Sequence, residues 1–159
     1  MRDTDAERNM RILLVEDSPA DVRLLREALK DASITVRMTT VRDGVEAMEY
    51  LHGTLRGQDP RPDLILLDLN LPRKSGREVL AEIKTDTGLR AIPVIIMSSS
   101  NADEDVEFAY SYSANSFITK PADLPEYMRI VRSIESFWLL SARLPDGLAT
   151  RFVSQEICA

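Results

Sequence analysis

Four consecutive aliphatic residues, Leu64-Ile65-Leu66-Leu67, run directly into a carboxylate, Asp68. A run without polar alternation suits a strand buried on both faces, and such strands belong to parallel sheets covered by helices on either side. The same pattern recurs along the chain. Ile12-Leu13-Leu14-Val15 ends in Glu16-Asp17, Pro93-Val94-Ile95-Ile96-Met97 ends in Ser98, and the short Ser116-Phe117-Ile118 leads into Thr119-Lys120-Pro121. A further strand, Ile34 to Val41, alternates and therefore has one wetter face.

Helical patterns separate these strands. Ser18-Pro19 reads as an N-cap followed by proline at the first helical position, and Val22, Leu25, Ala28 and Leu29 form one apolar stripe of a helix reaching about Asp31. Asp43-Gly44 turns into a helix from Val45 to Leu51, after which His52 to Pro62 reads as a long polar loop. Arg77 to Lys84 directs Val79, Leu80 and Ile83 inward. Ala102 to Tyr112 opens on Asp103-Glu104-Asp105, acids that suit a helix N-terminus. Asp123-Leu124-Pro125-Glu126 reads as a capping box, and Tyr127, Ile130, Val131, Ile134, Phe137 and Trp138 recur at helical spacing beyond it. Five β–α units predict a doubly wound α/β domain, a parallel sheet with helices on both faces and right-handed crossovers. The domain is expected over residues 11–140, between a flexible N-terminus, 1–10, and a C-terminal extension, 141–159.

Composition narrows the setting. At 44% hydrophobic and 29% charged residues the chain can build a full core without staples. Its single cysteine, Cys158, rules out an internal disulfide, which fits a reducing, cytoplasmic location. The start of the chain is charged rather than signal-like, and no apolar run approaches the ~20 residues of a membrane span. A net charge of −6 argues against a nucleic-acid partner.

In an open parallel sheet, sites form at the carboxyl ends of the strands. Glu16, Asp17, Asp68, Ser98 and Lys120 all fall there, so the fold gathers them on one rim. Carboxylates ~4 Å apart repel by about 4 kcal/mol per pair at an effective dielectric of ~20. Lys120 offsets one charge, and the remainder calls for a cation. The candidate ligands are all oxygens, which favours Mg²⁺ over Zn²⁺. A carboxylate, Mg²⁺, a lysine and a hydroxyl together suit phosphoryl transfer.

These residues resemble the receiver domain of two-component response regulators. The resemblance rests on the acid pair in Val15-Glu16-Asp17, on Asp68-Leu69-Asn70-Leu71-Pro72, on Pro93 to Ser98, and on Lys120-Pro121. It implies a flavodoxin-like five-stranded sheet of order 2-1-3-4-5. Asp68 is then the phosphoacceptor, loaded by a sensor histidine kinase. Asp17 and Asp68 bind Mg²⁺ directly, Glu16 through water, and Asn70 through its backbone carbonyl. Lys120 contacts the phosphoryl group, and Ser98 and Phe117 are the switch pair, with Phe117 turning inward behind Ser98. Pro121 is structural, following a cis peptide. The acid pair is Glu-Asp where Asp-Asp is frequent, Ser98 replaces a common Thr, and Phe117 replaces a frequent Tyr.

The loop before Asp68 and the segment Ser133 to Leu139 further resemble single-domain regulators associated with bacterial phytochromes. That subfamily implies a light-regulated kinase as donor, a homodimer and no output domain. The protein is then no enzyme beyond slow Mg²⁺-dependent self-dephosphorylation. A haloacid-dehalogenase-like phosphatase is the alternative, although its Asp-x-Asp-x-Thr motif belongs on a first strand. A receiver-like scaffold that is never phosphorylated is a third reading, against which the intact site argues. His52 reads as an exposed residue closing the second helix. Trp138, Leu139, Leu140, Leu144, Leu148, Phe152 and Val153 either cover a dimer partner or fold back on their own domain.

Overall fold

The computed structural model describes residues 9–145. Leu148, Phe152, Val153 and Cys158 lie outside the described residues, as does most of the N-terminal segment expected to be flexible. The element order is β1 (Asn9–Val15), α1 (Pro19–Leu29), β2 (Thr35–Val41), α2 (Gly44–Leu55), β3 (Leu64–Leu67), α3 (Gly76–Thr85), β4 (Val94–Ser98), α4 (Asp103–Ser111), β5 (Ser116–Thr119) and α5 (Leu124–Ile134). The sheet is parallel throughout, with order β2-β1-β3-β4-β5, as expected.

The unbroken aliphatic runs are explained by the two cores they serve. Along β3, Ile65 and Leu67 face a core made with Met48 and Leu51 of α2, Val79, Leu80 and Ile83 of α3 and Ala109 of α4. Leu64 and Leu66 face a second core made with Leu25 and Ala28 of α1 and Tyr127, Val131 and Ile134 of α5. Successive strand residues point to opposite faces, so only a strand covered on both sides is apolar at every position. Each such burial is worth about 1.5–3 kcal/mol.

Side-chain caps start four of the helices. Ser18 accepts from Asp21 N–H, with Pro19 in the first turn, and Asp43 accepts from Glu46 N–H. Ser75 and Glu78 close a full capping box on α3. At α5 the box is only half made. Asp123 accepts from Glu126 N–H at 2.9 Å, but the Glu126 carboxylate turns instead to the Arg129 guanidinium.

Two boundaries differ from expectation. The second helix continues past Leu51 to Leu55, so His52 is exposed inside the helix rather than at its end. Gly53 is not its stop signal: a Cβ there would strike the Asp59 carboxylate, so Gly53 permits a close approach. The stop is Gly57, whose φ of 71° supplies the left-handed residue after the cap. At the other end of the fold, α5 passes into a π-helical segment, Glu135–Ser141. The wider turn changes which residue comes back to the core. Leu139, five residues after Ile134, is 1% exposed, whereas Phe137 is 57% exposed and Trp138 only half-buried. Leu144 also packs on this core, so the described part of the extension folds back on its own domain.

Candidate functional site: an acidic cluster at the carboxyl rim

The residues that carry the site are the ones on which the backbone ladder makes its last bonds. Glu16 N–H donates to Val41 C=O at 3.0 Å, Asp68 N–H to Val15 C=O at 3.1 Å, and Lys120 N–H to Ser98 C=O at 2.8 Å. Each side chain therefore leaves the sheet from a backbone already fixed by its neighbour strand. The glycine of the following loop tightens this further. A Cβ on Gly76 would lie 2.0 Å from Asp68 O, and Gly76 N–H donates to Leu69 C=O at 3.0 Å, so the loop folds back directly onto the Asp68 segment.

Lys120 is the centre of the cluster. Its Nζ donates to Glu16 Oε2 at 2.6 Å, to Asp21 Oδ2 at 2.8 Å and to Asp68 Oδ2 at 2.8 Å. The other Asp68 oxygen accepts from Asn70 N–H at 3.0 Å. Asp68 is 5% exposed and Glu16 4% exposed, whereas Asp17 and the Asn70 side chain face solvent. Burial pushes the Glu16 carboxyl up to about 7, even though Lys120 and the Ser18 N–H pull it down. Burial also pulls the Lys120 ammonium down, but its hydrogen bonds to Asp21, Asp68 and Glu16 outweigh this and hold it above the usual lysine range. Lys120 thus stays protonated, while burial favours the neutral form of Glu16.

The structure brings Glu16, Asp17, Asp68 and Lys120 together. Carboxylate oxygens of Glu16, Asp17 and Asp68 all lie within 4.8 Å of one another, a donor set that fits a hard divalent cation. Ser98 sits at the end of β4, fully buried, with its hydroxyl accepting from Ser100 N–H at 3.2 Å rather than contacting Asp68. Phe117 is half-buried against the α2–α3–α4 core. No peptide bond among the described residues is cis, so the bond before Pro121 is trans, against expectation; trans is also the isomer an X–Pro bond favours by about 0.5–1 kcal/mol.

Sequence reasoning missed Asp21. It lies one turn beyond Asp17, in the first turn of α1, where an acid normally serves the helix N-terminus. The reciprocal capping partner of Ser18 would be this residue, yet Ser18 N–H donates instead to Glu16 Oε1 at 3.0 Å. Asp21 is thereby free to reach Lys120. Tyr127 on α5 also feels the cluster: burial first, then the Asp21 carboxylate, push its phenol up to about 12.

A five-stranded 2-1-3-4-5 sheet with an acidic, lysine-centred pocket at its carboxyl rim defines a phosphoreceiver class of signalling domain. Residues 12–132 match the response regulator receiver domain, and the chain belongs to this family of two-component response regulators. Response regulator Rcp1 of Synechocystis sp. is 47% identical over 135 residues, a stretch covering 84% of this chain and 92% of Rcp1. The phosphorylated cyanobacterial phytochrome response regulator RcpA superposes with a TM-score of 0.83 at 50% identity, covering 87% of this chain and 99% of that one. The Mn²⁺-bound form of Rcp1 superposes with a TM-score of 0.81 at 47% identity, covering 86% and 99%. The dehalogenase alternative has no support, because Asp68 follows the third strand and the second acid of that motif is replaced by Asn70. Receiver domains are phosphorylated by sensor histidine kinases, which places the chain in phosphorelay signalling. No helix among the described residues is long and apolar enough to cross a membrane.

Proposed function

We propose that Asp68 accepts the phosphoryl group. Its carboxylate attacks the phosphorus of a kinase phosphohistidine; a P–O bond forms as the P–N bond breaks, and the imidazole leaves neutral, having gained a proton. The observation that carries this reading is the single ammonium of Lys120 shared among Glu16, Asp21 and Asp68, all of them distant in sequence from Lys120. Asn70 N–H on one oxygen and Lys120 on the other fix the plane of the Asp68 carboxylate before any donor arrives. Lys120 then exchanges a carboxylate oxygen for a phosphoryl oxygen. Ser98 turns its hydroxyl toward another phosphoryl oxygen, and Phe117 moves inward behind it.

Asp17 and Asp68 would hold Mg²⁺ directly, Glu16 through water, and Asn70 through its backbone carbonyl. The all-oxygen donor set favours this metal, and the Mn²⁺-bound form of the relative Rcp1 supports a divalent ion in the class. When bound, Mg²⁺ neutralises charge on the phosphoryl oxygens. The only turnover expected of the chain is slow loss of its own phosphoryl group. We take the donor to be a light-regulated histidine kinase, because RcpA, at 50% identity, is a phytochrome response regulator. The expected form is a homodimer, with Leu124, Phe137 and Leu140 as exposed apolar groups on the last helix and its extension.

Acetyl phosphate with Mg²⁺ tests the assignment by intact mass. Wild type should gain one phosphoryl group and Asp68→Asn none; equal labelling of both proteins would falsify it.

A further inference from the structure

The connection from β4 to α4 carries a run of hydroxyl contacts. Ser100 N–H donates to Ser98 Oγ at 3.2 Å, and Ser100 Oγ donates to Asp105 Oδ2 at 2.5 Å. Asp105 stands in the first turn of α4, and its other oxygen accepts from the Arg77 guanidinium of α3. Arg77 in turn lies over the ring of Phe108, 4.6 Å from its centroid, one turn further along α4. The Ser100 hydroxyl and Arg77 hold the Asp105 carboxyl below the usual carboxylate range, so it is an ionised acceptor at neutral pH. An unbroken chain of polar contacts thus runs from the buried end of β4 to α4 and across to α3.

None of these contacts touches Asp68, yet they bear on it through Ser98. The Ser98 hydroxyl is engaged by Ser100 N–H. If Ser98 turns toward a phosphoryl group, that N–H loses its acceptor. Ser100 can follow Ser98 only by releasing Asp105, because its own hydroxyl is committed there. Releasing Asp105 frees the first turn of α4 from the loop.

We propose that Ser100, Asp105 and Arg77 form a latch: they are positioning residues that hold Ser98 in its unphosphorylated setting and tie its rotation to movement of α4. The inference rests on the phosphoacceptor reading of Asp68. Part of the binding free energy of the phosphoryl group is used to open the latch, so a weakened latch raises affinity for that group. General loss of structure cannot produce such a gain.

The test is beryllofluoride titration of the full chain with saturating Mg²⁺, followed in amide NMR spectra, for wild type, Ser100→Ala, Asp105→Asn and the double variant. Each single variant should bind beryllofluoride about 3–10-fold tighter, the range expected for one or two lost hydrogen bonds. The double variant should bind no tighter than the better single one, because both changes open the same latch. Affinity for Mg²⁺ alone should not move. Wild-type binding with unchanged or weaker binding in the variants, or an additive gain in the double variant, overturns the latch and leaves the phosphoacceptor reading standing. No uptake by wild type overturns both.

Discussion

Glu16 and Asp21 divide two tasks at the start of the first helix. Glu16 satisfies the Ser18 N–H, and Asp21 adds a third carboxylate to Lys120. Glu16, Asp17, Asp68, Ser98 and Lys120 were legible in the sequence because each ends an apolar run or lies within two residues of its end. Asp21 was not, because an acid in a first helical turn already has an ordinary reason to be there. The cluster also makes stability depend on pH with a definite sign. The folded-state pKa of Glu16 is raised from 4.5 to about 7, so between those values the native state binds more protons than the unfolded one. Without metal, stability should therefore fall as pH rises through that window, by on the order of 3 kcal/mol at most. Lys120 is raised as well, but it titrates far above this window, so its contribution is fully present below its unfolded pKa and does not change here. Urea unfolding at pH 5 and pH 8 measures the slope. Glu16→Gln should flatten it, and saturating Mg²⁺ should reverse or remove it. A metal-free wild type more stable at pH 8 than at pH 5 would contradict the shift.

Apolar periodicity marked every strand and helix, whereas the element ends depended on contacts that periodicity does not contain. Gly53 and Gly57 illustrate the difference. Both resemble helix stops, but one lies buried against Asp59 and the other takes the left-handed conformation that ends α2. The end of α5 shows the same gap. An ideal α-helical stripe predicts Phe137 and Trp138 inward, while the π-helical turn brings Leu139 to the core instead. Leu139→Ala should then cost about 2–4 kcal/mol, as for other buried leucines. Phe137→Ala should cost no more than ~0.5 kcal/mol of monomer stability, as for an exposed position. Urea unfolding of both variants at a concentration where the chain is monomeric checks this, and the reverse ranking would restore the α-helical register.

Across the whole molecule, the parallel order β2-β1-β3-β4-β5 places the ends of β1, β3 and β5 on one rim and buries both faces of the sheet. The double covering was legible because each central strand is apolar at every position, which only a doubly covered sheet requires; the strand order followed from the resemblance to receiver domains. Which apolar groups stay exposed was not legible, since exposure of Leu124, Phe137 and Leu140 depends on the helix register. Analytical sedimentation at high micromolar concentration should give a dimer, and Phe137→Ala should shift it toward monomer; a monomer throughout rules the dimer out. Phosphotransfer from a purified, radiolabelled phytochrome-type histidine kinase tests whether Asp68 is the acceptor. Label should leave the kinase for the wild-type chain only when Mg²⁺ is present, as an acyl phosphate on the peptide containing Asp68, with none reaching Asp68→Asn. Label on Asp68→Asn at the wild-type level, or on any other peptide, would contradict it.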